Sequence, residues 1–336
     1  MGYINRRAAF GLGTAIAATT VLTGTANAAE DVEEVSPSTP DRARRQVKRV
    51  YDRETANAGG TWNAYITVAD PDGTPVAAVD AGSTDVVEAY SVNKIAVAMA
   101  VLDKIDRGLL TLDQQVQVPA DIVIPNGDGI IKLDRAYPSA FTAGHVMSLL
   151  LTVSDDTCVR LSGLLCPAKE INDIIVAKGF PNTQVVPVAN PNRFFLGKTT
   201  PRETHDILQG LIHGTLLSAT STDFLFNILR SQVAFTDGIR RMMSSDERGR
   251  VATKAGWLND GRNEAGIMFD TAGKPVLTYS LFARGQAHPE DFGATHPAVQ
   301  ARSDMGRKWL RAVDKIAGAA SARTLAAQVY QPSNGG

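Results

Sequence analysis

Residues 92–102, VNKIAVAMAVL, hold only two polar side chains, Asn93 and Lys94, in an otherwise apolar run. Charge returns at Asp103, Lys104, Asp106 and Arg107, and Gly108 supplies a stop signal. A helix that is apolar on every side has no face to give to water, so it must be buried. The chain therefore has to wrap this segment on all sides. Ser91 stands at the mouth of the helix and Lys94 one turn further on. Residues three apart share a helix face, with Cβ atoms roughly 5–6 Å apart. A serine hydroxyl becomes a nucleophile when a neighbouring base takes its proton. A lysine sunk among Ile95, Val97 and Val101 is penalised for its charge, which is expected to lower its pKa and make it such a base. The free N–H groups of a helix start are suited to stabilising an oxyanion. The competing reading is an N-cap serine and a lysine that snorkels outward.

The segments around this helix suggest a sheet made from both ends of the chain. A helix is expected over residues 42–57. Two β-rich runs, 62–69 and 76–79, flank Asp70-Pro71-Asp72-Gly73, a hairpin turn. Residues 88–214 read as mainly helical. Within them TLDQQV is a short element, FTAGHVMSLLLTV an apolar helix, and KEINDIIVAKGF an amphipathic helix closing on Gly179. TTPRETHDILQGLIHG has a capping-box form, with Thr200 as cap, Pro201 at the first helical position and Glu203 three residues on. After residue 215 a helical stretch leads to RVATKAGW, EAGIMFD and KPVLTYSLFA, all β-rich, and a last helix spans about 296–316. The expected fold is α/β: an antiparallel sheet flanked by helices, with an inserted all-helical subdomain. The sheet part is assigned to 42–87 and 216–325, the helical part to 88–215.

The ends read differently. Residues 1–28 have Arg6 and Arg7, a mildly apolar run, and a small-x-small end at Ala26-Asn27-Ala28, the pattern of an export signal. The paired arginines suggest the twin-arginine form, with a plain secretory signal as the alternative. The apolar run is too short and too rich in Gly and Thr for a membrane span, so no stable anchor is expected. Residues 29–41, acidic and rich in Ser and Pro, read as a flexible linker, and 326–336 as a disordered tail. The protein is thus expected outside the cytoplasm, as a monomer. Removing Arg6 and Arg7 moves the net charge from −1 to −3, and no basic stripe appears, which argues against nucleic acid as a partner. Two cysteines, Cys158 and Cys166, remain; on one unbroken helix they would sit about 12 Å apart, too far to pair. Two buried, unpaired thiols are the favoured reading, although Gly163 and Pro167 leave a broken helix open.

Ser91-x-x-Lys94 is followed at residue 154 by Ser-Asp-Asp and at residue 254 by Lys-Ala-Gly in an expected strand. This set resembles the serine β-lactamase and penicillin-binding family, marked by S-x-x-K, S-D-N and K-T-G. The order and spacing are most similar to class A β-lactamases, as are DKIDRGLLTLDQQV, LLLTVSDDT, TTPRETHDIL and GIMFDTAGKPVLTYSLFA. The resemblance covers residues 42–316. It implies that Ser91 attacks a carbonyl to form an acyl-enzyme, that Lys94 activates it, and that Ser154 relays a proton to the leaving nitrogen. It further implies that Lys254 holds a substrate carboxylate. The N–H groups of Ser91 and Trp257 would form the oxyanion hole, with Gly256 letting the strand approach. No metal and no cofactor are implied, and the partner is a small acyl donor, a β-lactam or peptidoglycan fragment.

Three positions depart from that pattern. Asp156 replaces Asn, and its charge is expected to raise the pKa of both lysines, against Lys94 as base. Ala255 replaces Thr or Ser, which removes a hydrogen bond to a charged substrate group worth on the order of 1–3 kcal/mol. Class A enzymes release the acyl group with a glutamate in the loop before TTP. Here no Asp or Glu lies between Asp173 and Glu203; Asn190 and Asn192 fall near its place. Asp156 is a candidate replacement, as base or as electrostatic partner of Lys94. The leading expectation is a secreted serine hydrolase of the class A type. A D,D-peptidase-like penicillin-binding enzyme, or an acyl-serine esterase or amidase, is the first alternative. A binding protein without turnover is the second. The five histidines form no H-E-x-x-H or Cys/His cluster, and no G-x-S-x-G elbow is present.

Overall fold

The computed structural model describes residues 39–314, 316, 324–326, 328, 330–333 and 335. The export signal expected at 1–28 and most of the expected linker lie outside the described residues. Thr39 caps the first helix, α1 (Pro40–Ala58), accepting from the Arg42 N–H, with Pro40 in the first turn. Pro40 and Asp41, read as linker, are therefore helical. A proline fits there because its missing N–H is one that the first turn leaves unpaired in any case. The hairpin β1 (Thr61–Ala69) and β2 (Pro75–Ala81) follows. Next come β3 (Val87–Glu88), a one-turn 3₁₀ helix (Tyr90–Asn93) and α2 (Lys94–Asp106). The helical middle holds β4 (Gln115–Val118), α3 (Ile131–Asp134), β5 (Ser139–Thr142), α4 (Ala143–Thr152), α5 (Asp156–Leu165) and α6 (Ala168–Ala177). Then come β6 (Gln184–Pro187), β7 (Phe194–Thr199), α7 (Pro201–Ile212), α8 (Ala219–Arg230) and α9 (Ser245–Gly249). The chain closes with β8 (Val251–Leu258), β9 (Gly261–Phe269), β10 (Pro275–Arg284) and α10 (Pro297–Asp314).

The main sheet has five antiparallel strands in the order β2-β1-β10-β9-β8. The first and last parts of the chain pair directly, from Thr61↔Arg284 to Val68↔Leu277. Each face of the sheet has its own core. On one, α1 and α10 bring Val47, Tyr51, Met305 and Trp309 onto Ile66, Val68, Met268 and Leu281. On the other, Ala252, Ala265, Ile267 and Phe269 meet the helical middle. The apolar helix α2 lies inside that second core, with every residue from Lys94 to Leu102 buried. Truncating a core leucine such as Leu102 to alanine is expected to cost about 2–5 kcal/mol, because the cavity closes only in part. Helix α8, placed by the sequence with the sheet part, packs on α2 and α4 as well as on β8.

The stretch before TTP is not an open loop. Strands β6 and β7 form a hairpin and, with β3, a second small sheet. Two short β-rich runs around Asn190-Pro191-Asn192 carried that signal, but Pro187 and Pro191 masked it as irregular chain. Toward the C-terminus, the Ala326 carbonyl accepts from Arg230 Nη1 at 3.0 Å, and Gln328 donates to the Asn227 carbonyl at 2.9 Å. Cys158 and Cys166 are free and buried; burial raises the Cys158 thiol well above its ordinary value and the Cys166 thiol to about 12. Among the described residues no helix is long and apolar enough to cross a membrane.

Candidate active site

Ser91 sits in the 3₁₀ turn that opens α2, and three strands hold that turn. Asn93 donates to the carbonyls of Leu196 (2.7 Å) and Lys198 (3.0 Å) on β7, and the Ala89 N–H donates to the Gly197 carbonyl at 2.9 Å. Asn263 of β9 donates to the Glu88 carbonyl at 2.9 Å. Gly256 of β8 comes so close that a Cβ there would lie 2.6 Å from the Ser91 nitrogen and 2.8 Å from that of Val92. Only glycine allows that approach. Tyr90, just before the serine, has φ +50°, and Ser154 has φ +55°. Left-handed backbone in a non-glycine residue costs on the order of 1–3 kcal/mol, so the surrounding contacts over-determine both turns.

The Ser91 hydroxyl is half-buried and makes no hydrogen bond among the described residues. Lys94 does not face it as the shared helix turn suggested. Its amine reaches instead to the Ser154 carbonyl (2.6 Å), the Ser154 hydroxyl (3.0 Å) and Asp156 Oδ1 (2.9 Å). The lysine is fully buried, and this carboxylate offsets the desolvation of its charge. Asp156 is committed at both oxygens, since Oδ2 accepts from the Asp128 N–H at 2.9 Å. Its Oδ1 makes it the ion-pair partner of Lys94. The neighbouring Asp155 is structural: Oδ1 caps α5 by accepting from the Cys158 N–H, while Oδ2 accepts from Ile130 (2.7 Å) and Ile131 (2.9 Å).

The sequence reading missed Asp128 and the turn that carries it. Gly127 and Gly129 bracket it and press on the Ser154 turn, where a Cβ on Gly129 would lie 2.1 Å from Asp155 Oδ2. Desolvation and the charge of Asp156 raise the Asp128 carboxyl pKa, against the pull of Lys94, Lys254 and Lys132. The pattern N-G-D-G announces a turn, but nothing in it says which residues the turn will touch.

Lys254 enters from β8. It is buried, and its amine lies 3.0 Å from the Ser154 hydroxyl and 2.7 Å from the Ala255 carbonyl. Its pKa is pushed well down, by burial first and by the charge of Lys94 second; the opposing pull of Asp128, Asp156 and Glu264 is smaller. Asp156 pulls Lys254 upward as expected, but burial and the charge of Lys94 outweigh it. Ala255 is fully buried, and Trp257, at the half-exposed end of the strand, stacks on Phe235 with ring centroids 5.5 Å apart. A cleft of about 480 Å³ opens beside Tyr90, lined in part by Glu88, Lys198, Asp260 and Arg284, but Ser91 and the two lysines do not line it.

The model of the beta-lactamase enzyme family matches residues 42–313. The chain belongs to that family. No curated protein sequence matches it. Among solved structures, a beta-lactamase from Sphaerobacter thermophilus DSM 20745 is similar at 22% identity and TM-score 0.65, covering 80% of this chain and 97% of the other. PBP-A is similar at 20% identity and TM-score 0.64, covering 81% and 96%. A point mutant of PBP-A, solved as an acyl-enzyme complex with penicillin G, gives 20% and 0.63, covering 82% and 97%. These likenesses establish the fold, and with the family match they make the protein a serine hydrolase of the beta-lactamase type.

In this beta-lactamase family member a hairpin precedes α7. Glu203 does not fold back on its own cap. Thr200 accepts from the Glu203 N–H at 3.0 Å, but the Glu203 carboxylate turns to Asn182 (N–H at 3.0 Å, side chain at 2.8 Å) and to the Thr183 hydroxyl at 2.7 Å. The box expected from the sequence is half-formed, because buried donors at 182 and 183 compete better than the cap nitrogen. Asn190 and Asn192 close the hairpin tip on each other and on Arg193. His205, buried against Thr67 at 2.8 Å and Asp206 at 2.8 Å, takes part in packing.

Proposed function

We propose that this protein is an exported serine hydrolase that takes up a β-lactam, or a related strained or activated amide or ester, as an acyl group on Ser91. One observation carries the reading. The Ser154 hydroxyl lies 3.0 Å from each of two buried lysine amines, Lys94 and Lys254, which come from elements 160 residues apart. A hydroxyl between two amines next to a helix-start serine is equipment for moving protons in acyl transfer. Ser91 would attack, its own N–H and that of Trp257 would hold the oxyanion, and Ser154 would hand a proton to the leaving nitrogen. Lys254 would donate a hydrogen bond toward a substrate carboxylate, and Ala255 withdraws the hydroxyl that would have helped. The leader at 1–28 supports export.

Release of the acyl group is the weak step. The carboxylate nearest in sequence to the usual place, Glu203, is held by Asn182 and Thr183, and Asp156 accepts from Lys94 and from the Asp128 N–H, bonds of the kind that make a carboxylate a weaker base. This favours a penicillin-binding, D,D-peptidase-like enzyme with a slowly hydrolysed acyl-serine over a fast lactamase. The acyl-enzyme reported for the PBP-A mutant is in keeping with that reading. Incubating the mature chain with a fluorescent penicillin tests it. The parent should be labelled covalently and Ser91→Ala should not. A parent that takes no label would sink the acylation reading and leave a binding role without turnover.

A further inference from the structure

We propose that Lys254, and not the lysine of the S-x-x-K motif, is the proton acceptor of this site, acting through the Ser154 hydroxyl, because Asp156 holds Lys94 as a fixed ammonium. The inference rests on Ser91 being the acylated residue. The geometry begins at Lys94. Its nitrogen faces three acceptors within 3.0 Å: the Ser154 carbonyl, the Ser154 hydroxyl and Asp156 Oδ1. A carbonyl and a carboxylate only accept, so both bonds need an N–H from the lysine. The hydroxyl could serve either form of the amine, but the carboxylate at 2.9 Å favours the ammonium, whose three protons are then all placed, with no lone pair left for Ser91. Lys254 is placed differently. It has two partners, the Ala255 carbonyl and the same Ser154 hydroxyl, and no carboxylate within ion-pairing distance among the described residues.

Ser154 has one proton to give. It accepts from Lys94, so its own O–H is free to point at Lys254, provided that amine is neutral. Two ammonium ions at 3.0 Å from one oxygen, served by one carboxylate, would repel each other in a dry setting. The groups facing the pair are Lys94 on α2, Asp156 on α5, Asp128 on the turn before α3, and Glu264 on β9. Glu264 is itself engaged by Thr253 at 2.7 Å and by Arg302 at 3.5 Å. Burial and the charge of Lys94 both push Lys254 toward the neutral form. The substitution of Asn by Asp at 156 therefore exchanges the roles of the two lysines.

The step balances without an added reactant. Ser91 Oγ bonds to the carbonyl carbon as its proton passes to Ser154 Oγ, and the Ser154 proton passes to Lys254 Nζ. When the carbon–nitrogen bond breaks, the leaving nitrogen takes a proton from Ser154, which is refilled from the Lys254 ammonium. Lys254 begins and ends neutral, and Lys94 keeps its proton throughout.

The test is NMR of the mature chain with carbon-13 at lysine Cε, assigned by through-space contacts in the unsubstituted protein and followed as pH is raised. The Lys254 resonance should titrate well below the bulk of the lysines. Kinetics supply a second readout. Lys254→Arg keeps the charge but cannot accept a proton, and should slow labelling by a fluorescent penicillin about 100-fold or more. Lys94→Arg should retain more of the rate than Lys254→Arg. The proposal is overturned if Lys94 titrates low while Lys254 stays charged, or if neither titrates below about pH 9. Low titration of Lys254 in a parent that takes no label would support the lysine assignment and sink the acylation reading instead.

Discussion

Where α2, α5 and β8 meet, polar side chains are paired with one another: Lys94 with Asp156, and Ser154 with both lysines. Where β6, β7 and the start of α7 meet, the polar groups are paired with the scaffold. There Glu203 holds Asn182 and Thr183 and so fixes the hairpin to the helix. The first region arranges its side chains around the Ser154 hydroxyl. The second gathers them on one carboxylate, Glu203, that ties the hairpin to α7. A carboxylate that already accepts several hydrogen bonds is stabilised in its charged form and is a weaker base, so its presence near a site is not by itself evidence of one.

Substitutions can break this contrast at several points. Ser91→Ala should cut covalent uptake of penicillin by about 1,000-fold or more, read by intact mass; undiminished uptake would move the nucleophile elsewhere. Asp155→Ala removes a helix cap and the anchor of Ile130 and Ile131, and should lower stability in urea by about 1–3 kcal/mol. If Asp155→Ala left the urea midpoint unchanged, the Ser154 turn would not depend on that anchor. Glu203→Gln should cost a similar or smaller amount while leaving the rate of acyl release within about threefold of the parent. A tenfold change in release with stability intact would make Glu203 part of the chemistry after all.

A smaller effect concerns His205. Burial lowers its pKa below the ordinary 6.5. The folded state therefore binds fewer protons than the unfolded state between the lowered value and 6.5, and stability should fall as pH drops through that window. His205→Gln should flatten the fall in melting temperature between about pH 7 and pH 5. An equal fall in both proteins would assign the acid sensitivity to other groups.

Much of the fold could be read from the chain because its signals are local. The Asp70–Gly73 turn, the Gly108 stop and the Thr200-Pro201 helix start each act within a few residues, and each is found where the pattern placed it. The three motifs also fell together, since Ser154 and Lys254 meet Lys94. The orientation of Lys94 was not legible. Helical spacing placed it beside Ser91, but Asp156, sixty-two residues away in sequence, decides where its amine points. Asn93 looked like a mere interruption of an apolar helix and proves to be the tie between the Ser91 turn and β7. Glu203 fitted a local rule and obeyed a distant pair of donors instead. In each case a contact across the chain outbid a contact along it.

The central claim is that this site is built to take up an acyl group and poorly built to give it back. Following the intact mass of the mature protein after mixing with penicillin G tests it most directly. The account predicts an adduct of one intact penicillin per chain, absent in Ser91→Ala, that persists after free penicillin has been removed. An adduct that clears as fast as it forms, with hydrolysed penicillin accumulating in solution, would contradict it.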